Sequence, residues 1–137
     1  MYLSLQGNIG LGKAIEYFTS LQYPVSLPLN DTQKYDLIVD MDNSLKRISV
    51  KTSRNKTQYN TYAVNLRNCG GSSGVNKTRP FDNKTCDYVF ILTGDDKIYL
   101  IPSEQIEATN SITVGKKYVE YEVQVKPFSS FVEALED

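Results

Sequence analysis

An acid, a hydroxyl and an amine stand at spacings that could hydrolyse a phosphodiester. Asp36 opens the apolar run YDLIVDM (35–41), and Ser49 and Lys51 lie two apart in the alternating run LKRISVKTS (45–53). Residues two apart on a strand leave the same face. If the two runs pair as a hairpin, a carboxylate, a polar oxygen and an ammonium surround one point. A carboxylate with a backbone carbonyl suits Mg2+, which takes oxygen ligands and keeps several waters. Such an ion lowers the pKa of bound water and neutralises phosphate charge, and a lysine beside it can orient the attacking water. The composition agrees, because the 137 residues include no histidine. That excludes Ser-His-Asp and Cys-His nucleophile systems, imidazole metal ligands and a histidine general base.

The elements that must position these residues follow from periodicity and punctuation. Residues 8–22, NIGLGKAIEYFTSLQ, read as a helix with Ile9, Ala14, Ile15, Phe18 and Leu21 on one broad apolar side, ended by Pro24. Val25 to Leu29 reads as extended, and the runs 35–41 and 45–53 read as an antiparallel hairpin turning at Asp42-Asn43-Ser44. In the second run Leu45, Arg47, Ser49 and Lys51 take one face, and Lys46, Ile48 and Val50 the other. Further strands are expected at 61–66, 87–93, 97–101 and 118–125, with a short helix at 104–108. Ser130 to Glu133 has capping-box spacing for a C-terminal helix. A long polar loop, 68–86, joins the third and fourth strands; loops of that length in small domains usually carry function. The order predicts an α/β (α+β) fold with a mixed central sheet flanked by helices, in one domain over 1–137.

Charge is strongly segregated. Between Lys46 and Lys84 stand nine basic residues and one acid, Asp82, a segment charge of +8 against −9 for the rest. A basic block in an acidic frame points to nucleic acid. No apolar run resembles a signal peptide or a membrane span, and the chain is expected to be cytoplasmic with no membrane partner. Cys69 and Cys86, flanking the long loop, are then expected as free thiols. Tyr59 and Tyr62, beside the basic block, read as core or sheet-face residues rather than DNA contacts.

The segments GNIGLGKAIEYF, YPVSLPLNDTQKYDLIVDM, LKRISVKTS and DYVFILTGDDKIYLIPSEQI together resemble the PD-(D/E)XK nucleases. They are most similar to the group I intron-encoded homing endonucleases of cyanobacterial type. The resemblance covers most of residues 7–106 and implies a restriction-endonuclease-like core. It makes Asp36 the metal-binding aspartate and Lys51 the catalytic lysine, with Val50 offering its backbone carbonyl to the metal. Ser49 stands where members carry Glu, Asp or Gln, and Tyr35 replaces the usual proline. Many members also carry a glutamate on the first helix, and that position falls on Leu11. Glu16, the nearest acid, is turned about 140° away on a helix. With Leu11 and Ser49 in place, the expectation is low or no cleavage, restored by Leu11→Glu with Ser49→Gln.

The implied activity is sequence-specific double-strand DNA cleavage with Mg2+, or another divalent cation such as Mn2+ or Ca2+, in the service of intron homing. Thr52, Ser53, Arg54, Lys56, Arg67, Lys77, Arg79 and Lys84 are the expected DNA-binding residues, within a DNA-reading basic loop of about 54–86. The resemblance implies a homotetramer. The acidic C-terminal part, 87–137, is expected to face away from DNA, and within it an oligomerisation segment of about 103–137 would build the interface, aided by Phe128, Phe131, Val132 and Leu135. The alternatives are a catalytically inactive DNA-binding protein of the same fold, a Holliday-junction resolvase-like nuclease, and an oligomeric interaction protein that binds an acidic partner.

Overall fold

The computed structural model describes residues 3–30, 32–69 and 78–136. Helix α1 (Leu3–Ser20) starts five residues before the sequence pattern does and runs through Gly7, Gly10 and Gly12. It ends before Pro24 because Gln22 takes a left-handed conformation, φ 64°. The Gln22 N–H then donates to the Thr19 carbonyl, and the Tyr23 N–H to that of Phe18. This is a Schellman termination, which satisfies the last helical carbonyls.

The chain continues through β1 (Val25–Ser26) into β2 (Leu37–Met41) and β3 (Ser44–Ser53). Met41 pairs with Ser44, so the expected turn holds two residues, Asp42 and Asn43. Both have positive φ, 53° and 70°, as a type I′ hairpin turn requires. The Asp40 carboxylate accepts the Asn43 N–H at 2.9 Å.

The remaining elements are β4 (Tyr62–Asn65), β5 (Asn68–Cys69), β6 (Thr78–Arg79), β7 (Tyr88–Thr93), β8 (Ile98–Pro102), β9 (Ser111–Val114), β10 (Glu122–Val123) and α2 (Phe128–Glu136). Six strands form one sheet in the order β1-β2-β3-β7-β8-β10. Its pairs are antiparallel except β3 with β7, which are parallel. The sheet is mixed, as expected. Helix α1 covers one face, where Ala14, Phe18, Leu37, Val39, Ile48 and Phe90 are fully buried. The β4–β9 ribbon covers the other, over Val64, Leu66, Val89, Ile91 and Ile101. A ribbon rather than a second helix therefore closes this half of the core.

Several local expectations change. The strand β9 stands where no element was expected. The helix at 104–108 is a single 3-10 turn, Ser103–Gln105, because the chain extends at Ile106 to bury that side chain at 1% exposure. Only Glu122 and Val123 of the run 118–125 join the sheet; Tyr118 is left-handed and opens another 3-10 turn. Helix α2 begins at Phe128, so Ser130 lies inside its first turn and donates its hydroxyl to the Pro127 carbonyl. Among the described residues no helix is long and apolar enough to cross a membrane.

Candidate active site

The site forms where β2 starts and β3 carries on. The β2–β3 pairing stops at Leu37 opposite Ile48, whereas β3 runs on to Ser53, paired with β7. Alternate residues of a strand direct their backbone groups to the same neighbour. The Ile48 carbonyl accepts the Asp36 N–H at 2.8 Å. Val50, two residues on, turns its N–H and carbonyl to that same side, past the start of β2. The Asp36 carboxylate takes the place of the missing strand partner and accepts the Val50 N–H at 2.7 Å. A backbone donor that would otherwise lack a strand partner thus fixes the acid, and the Val50 carbonyl is left turned toward the same edge.

Ser49 and Lys51 stand opposite Val89 and Ile91 in the parallel register. They therefore share the ribbon-covered face, as the alternation predicts. Ser49 is 2% exposed. The Lys51 ammonium donates to the Asn68 Oδ1 at 2.9 Å, which joins β5 to this strand. Burial of its surroundings pushes the Asp36 carboxyl above its ordinary pKa, although the residue itself stays open to solvent; the Val50 N–H and the Lys51 charge oppose that shift.

Helix α1 crosses β3 at close range. A Cβ on Gly10 would come within 2.3 Å of Thr52 Cγ2, so only glycine permits this approach. One turn earlier, Gln6 donates to the Thr52 hydroxyl at 3.0 Å, and its own Oε1 is the buried side-chain atom left without a partner among the described residues. Leu11 packs half-buried against the core on the α1 side and brings no ligand atom. Glu16 is exposed and pairs with Lys13 at 3.6 Å.

Among the described residues no cluster of three or more His, Cys, Asp or Glu side chains could hold a metal. The oxygens at the edge are one carboxylate and one backbone carbonyl, with the Ser49 hydroxyl on the same strand. That set fits a single hard cation such as Mg2+, which commonly takes one or two carboxylates and fills its other positions with water and substrate phosphate.

The sequence model of the PD-(D/E)XK endonucleases matches residues 1–133. The chain belongs to the PD-(D/E)XK endonuclease family. The fold agrees with a solved structure of a bacterial homing endonuclease, I-Ssp6803I, at a TM-score of 0.71 and 21% identity, covering 99% of this chain and 95% of that one. No curated protein sequence matches the chain. The family generally uses divalent metal ions, and an endonuclease implies DNA as substrate.

Around this candidate site the basic residues separate into two groups. Arg54, Lys56, Arg79 and Lys84 are exposed. Arg67 is committed to structure: it donates to Thr78 Oγ1, to the Thr78 carbonyl and to Asn110 Oδ1 at 2.9, 3.1 and 2.7 Å. Thr52 faces α1, and Ser53 is 4% exposed with its hydroxyl given to the Ala63 carbonyl. In this arrangement both serve packing rather than a phosphate. Lys77 lies outside the described residues. The stretch 78–86, expected as loop, is anchored: Phe81 and Cys86 are buried, and the Phe81 N–H donates to the Thr109 carbonyl. Tyr59, expected in the core or on a sheet face, is 65% exposed. Asn68 and Gln6 were not marked by any sequence signal, since their roles depend on pairings far along the chain.

Proposed function

We propose that this endonuclease cuts duplex DNA at specific sequences with a divalent cation, Mg2+ by preference, from a centre built on Asp36 and Lys51. The observation that carries the reading is the Asp36 carboxylate fixed by the Val50 N–H at the open edge of β3, one residue from Lys51. The Asp36 carboxylate and the Val50 carbonyl would hold the cation. When bound there, a cation lowers the pKa of its water and offsets charge on the phosphate.

The chain's own groups do the rest. Asn68 steadies the Lys51 ammonium, which sets positive charge beside the phosphate and orients the attacking water. Exposed Arg54, Lys56, Arg79 and Lys84 supply phosphate contacts that fix the duplex on this edge. Leu11 adds no donor and Ser49 only a hydroxyl, a weaker ligand than a carboxylate, so cleavage is slow.

Intron homing is the biological setting that best suits this reading, since the solved structure sharing the fold is named as a bacterial homing endonuclease. Cutting both strands needs two centres, so the working form is a homo-oligomer, and the family resemblance favours a tetramer. Phe128 and Val132, exposed at 80% and 39% on α2, suit that interface. The segment 103–137 would supply it, within one nuclease domain over 1–137. Leu135 lies among side chains that are not described. A second reading, a DNA-binding member without activity, is favoured by Leu11 and Ser49 specifically. The separating experiment measures Mg2+-dependent cutting of a duplex library by the protein and by its Leu11→Glu/Ser49→Gln variant. Cutting by the variant supports the nuclease reading; specific binding with no cutting by either supports the second.

A further inference from the structure

Directly after β3 the chain forms a small braced ribbon that displays polar and aromatic side chains to solvent. Lys56 and Tyr62 form an antiparallel bridge, and the Ala63 N–H donates to the Asn55 carbonyl at 2.9 Å. The Thr57 N–H donates to the Thr61 carbonyl at 2.8 Å, and the Asn60 N–H to the Thr57 carbonyl at 3.2 Å. The Thr57 and Thr61 hydroxyls meet at 2.6 Å, and the Thr57 hydroxyl also accepts the Tyr59 N–H. Asn60 is left-handed at φ 62°, which closes the turn. The base is packed: Thr61 is 7% exposed, and a side chain on Gly115 would meet its Cα at 3.5 Å.

This framework holds Gln58, Tyr59 and Asn60 in water, where a tyrosine ring contributes little to folding. Exposed aromatic and amide groups on a rigid loop mark a recognition surface, and order present before binding lowers the entropy cost of association. Arg54 and Lys56 lie on the arm that leads into the tip, both exposed. From Lys51 to the end of β3 at Ser53 the strand advances about 7 Å, and the ribbon begins three residues later at Lys56, paired with Tyr62. A two-stranded ribbon fits the DNA major groove, and Gln and Asn amides pair there with adenine N6 and N7.

We propose that Gln58, Tyr59 and Asn60 are a preformed base-reading tip that inserts into the major groove beside the catalytic edge. The proposal rests on the nuclease reading above. Within the basic loop of about 54–86 it places base reading at the tip of this ribbon, close to the end of β3.

The test selects preferred duplexes from a random library with the full chain in Ca2+, for the protein and for Gln58→Ala, Tyr59→Ala and Asn60→Ala, each checked for an unchanged melting temperature. The protein should enrich one motif. Each variant should lose roughly tenfold preference at one to three adjacent base pairs, at unchanged salt dependence. Arg54→Ala and Lys56→Ala should instead weaken binding evenly and reduce the salt slope by about one each. Variants that enrich the same motif as the unaltered protein, or that lose affinity evenly, would overturn base reading while leaving the nuclease reading standing. An unaltered protein that binds no duplex would overturn both.

Discussion

The Val50 N–H donates to the Asp36 carboxylate at 2.7 Å, so hairpin register and site chemistry are one relationship. A slip of one residue between β2 and β3 would exchange the faces of Ser49, Val50 and Lys51. It would also separate the acid from the Val50 carbonyl. The type I′ turn at Asp42-Asn43 and the buried pair Leu37–Ile48 hold the register.

Asp36→Asn should stabilise the protein at neutral pH and abolish cleavage. Burial raises this carboxyl above its ordinary range, so the native state holds the proton more tightly than the unfolded chain. The contribution of this one group is then most favourable at low pH and falls as pH rises from the ordinary aspartate value through the raised one. Asparagine carries no charge and keeps an oxygen for the Val50 N–H. Thermal melts should place the variant above the unaltered protein at pH 7, with the difference gone below about pH 4. A lower melting temperature at pH 7 would contradict the assignment.

Gly10→Ala should destabilise by about 1–3 kcal/mol, the usual cost of overpacking, because its Cβ would sit 2.3 Å from Thr52 Cγ2. Thr52→Ser removes that methyl and keeps the hydroxyl that accepts from Gln6. Urea unfolding of the double variant should recover most of the loss, a coupling that independent sites would not show.

Lys51→Ala should reduce cleavage about a hundredfold or more, the scale of losing one electrostatic stabiliser, with duplex affinity changed only a few-fold. Asn68→Ala should cost less, about tenfold, because Lys51 keeps its charge and loses one acceptor of its ammonium. Single-turnover kinetics beside gel-shift affinities separate these effects. Equal losses of binding and cutting would make Lys51 a DNA contact only.

Cys86 should resist thiol reagents at pH 8 in the folded protein. It is 3% exposed, and burial raises its pKa, so the reactive thiolate is scarce. In a Cys69→Ser background, colorimetric titration should count no fast thiol until denaturant is added. Rapid labelling would mean that the wall formed with Ser103 opens readily.

The α1 helix, the β2–β3 hairpin and the buried strands β7 and β8 were readable because each carries strong periodicity or turn chemistry. The shared face of Ser49 and Lys51 followed from strand alternation. Strand β9 escaped notice because Ser111–Val114 offers only four residues of alternation between Asn110 and Gly115. Tyr118 has a strand-like sequence context, but its backbone is left-handed and its carbonyl accepts the Tyr121 N–H of a 3-10 turn. Asn68 could not be found from local sequence. It reaches Lys51 across 17 residues, through the β5–β6 pairing. The exposed ribbon tip at Tyr59 was misjudged because aromatic residues usually enter cores.

Asp36 and Lys51 are proposed as a DNA-cutting centre weakened at Leu11 and Ser49. Its most direct test is sequencing of cut ends from a duplex library in Mg2+. The comparison takes the unaltered protein, Leu11→Glu/Ser49→Gln, and that variant with Asp36→Asn added. The double variant should cut at discrete sites, at least about tenfold above the unaltered protein, and not at all once Asp36 is replaced. Cutting that persists without Asp36, or no gain from the restored positions, would contradict this proposal.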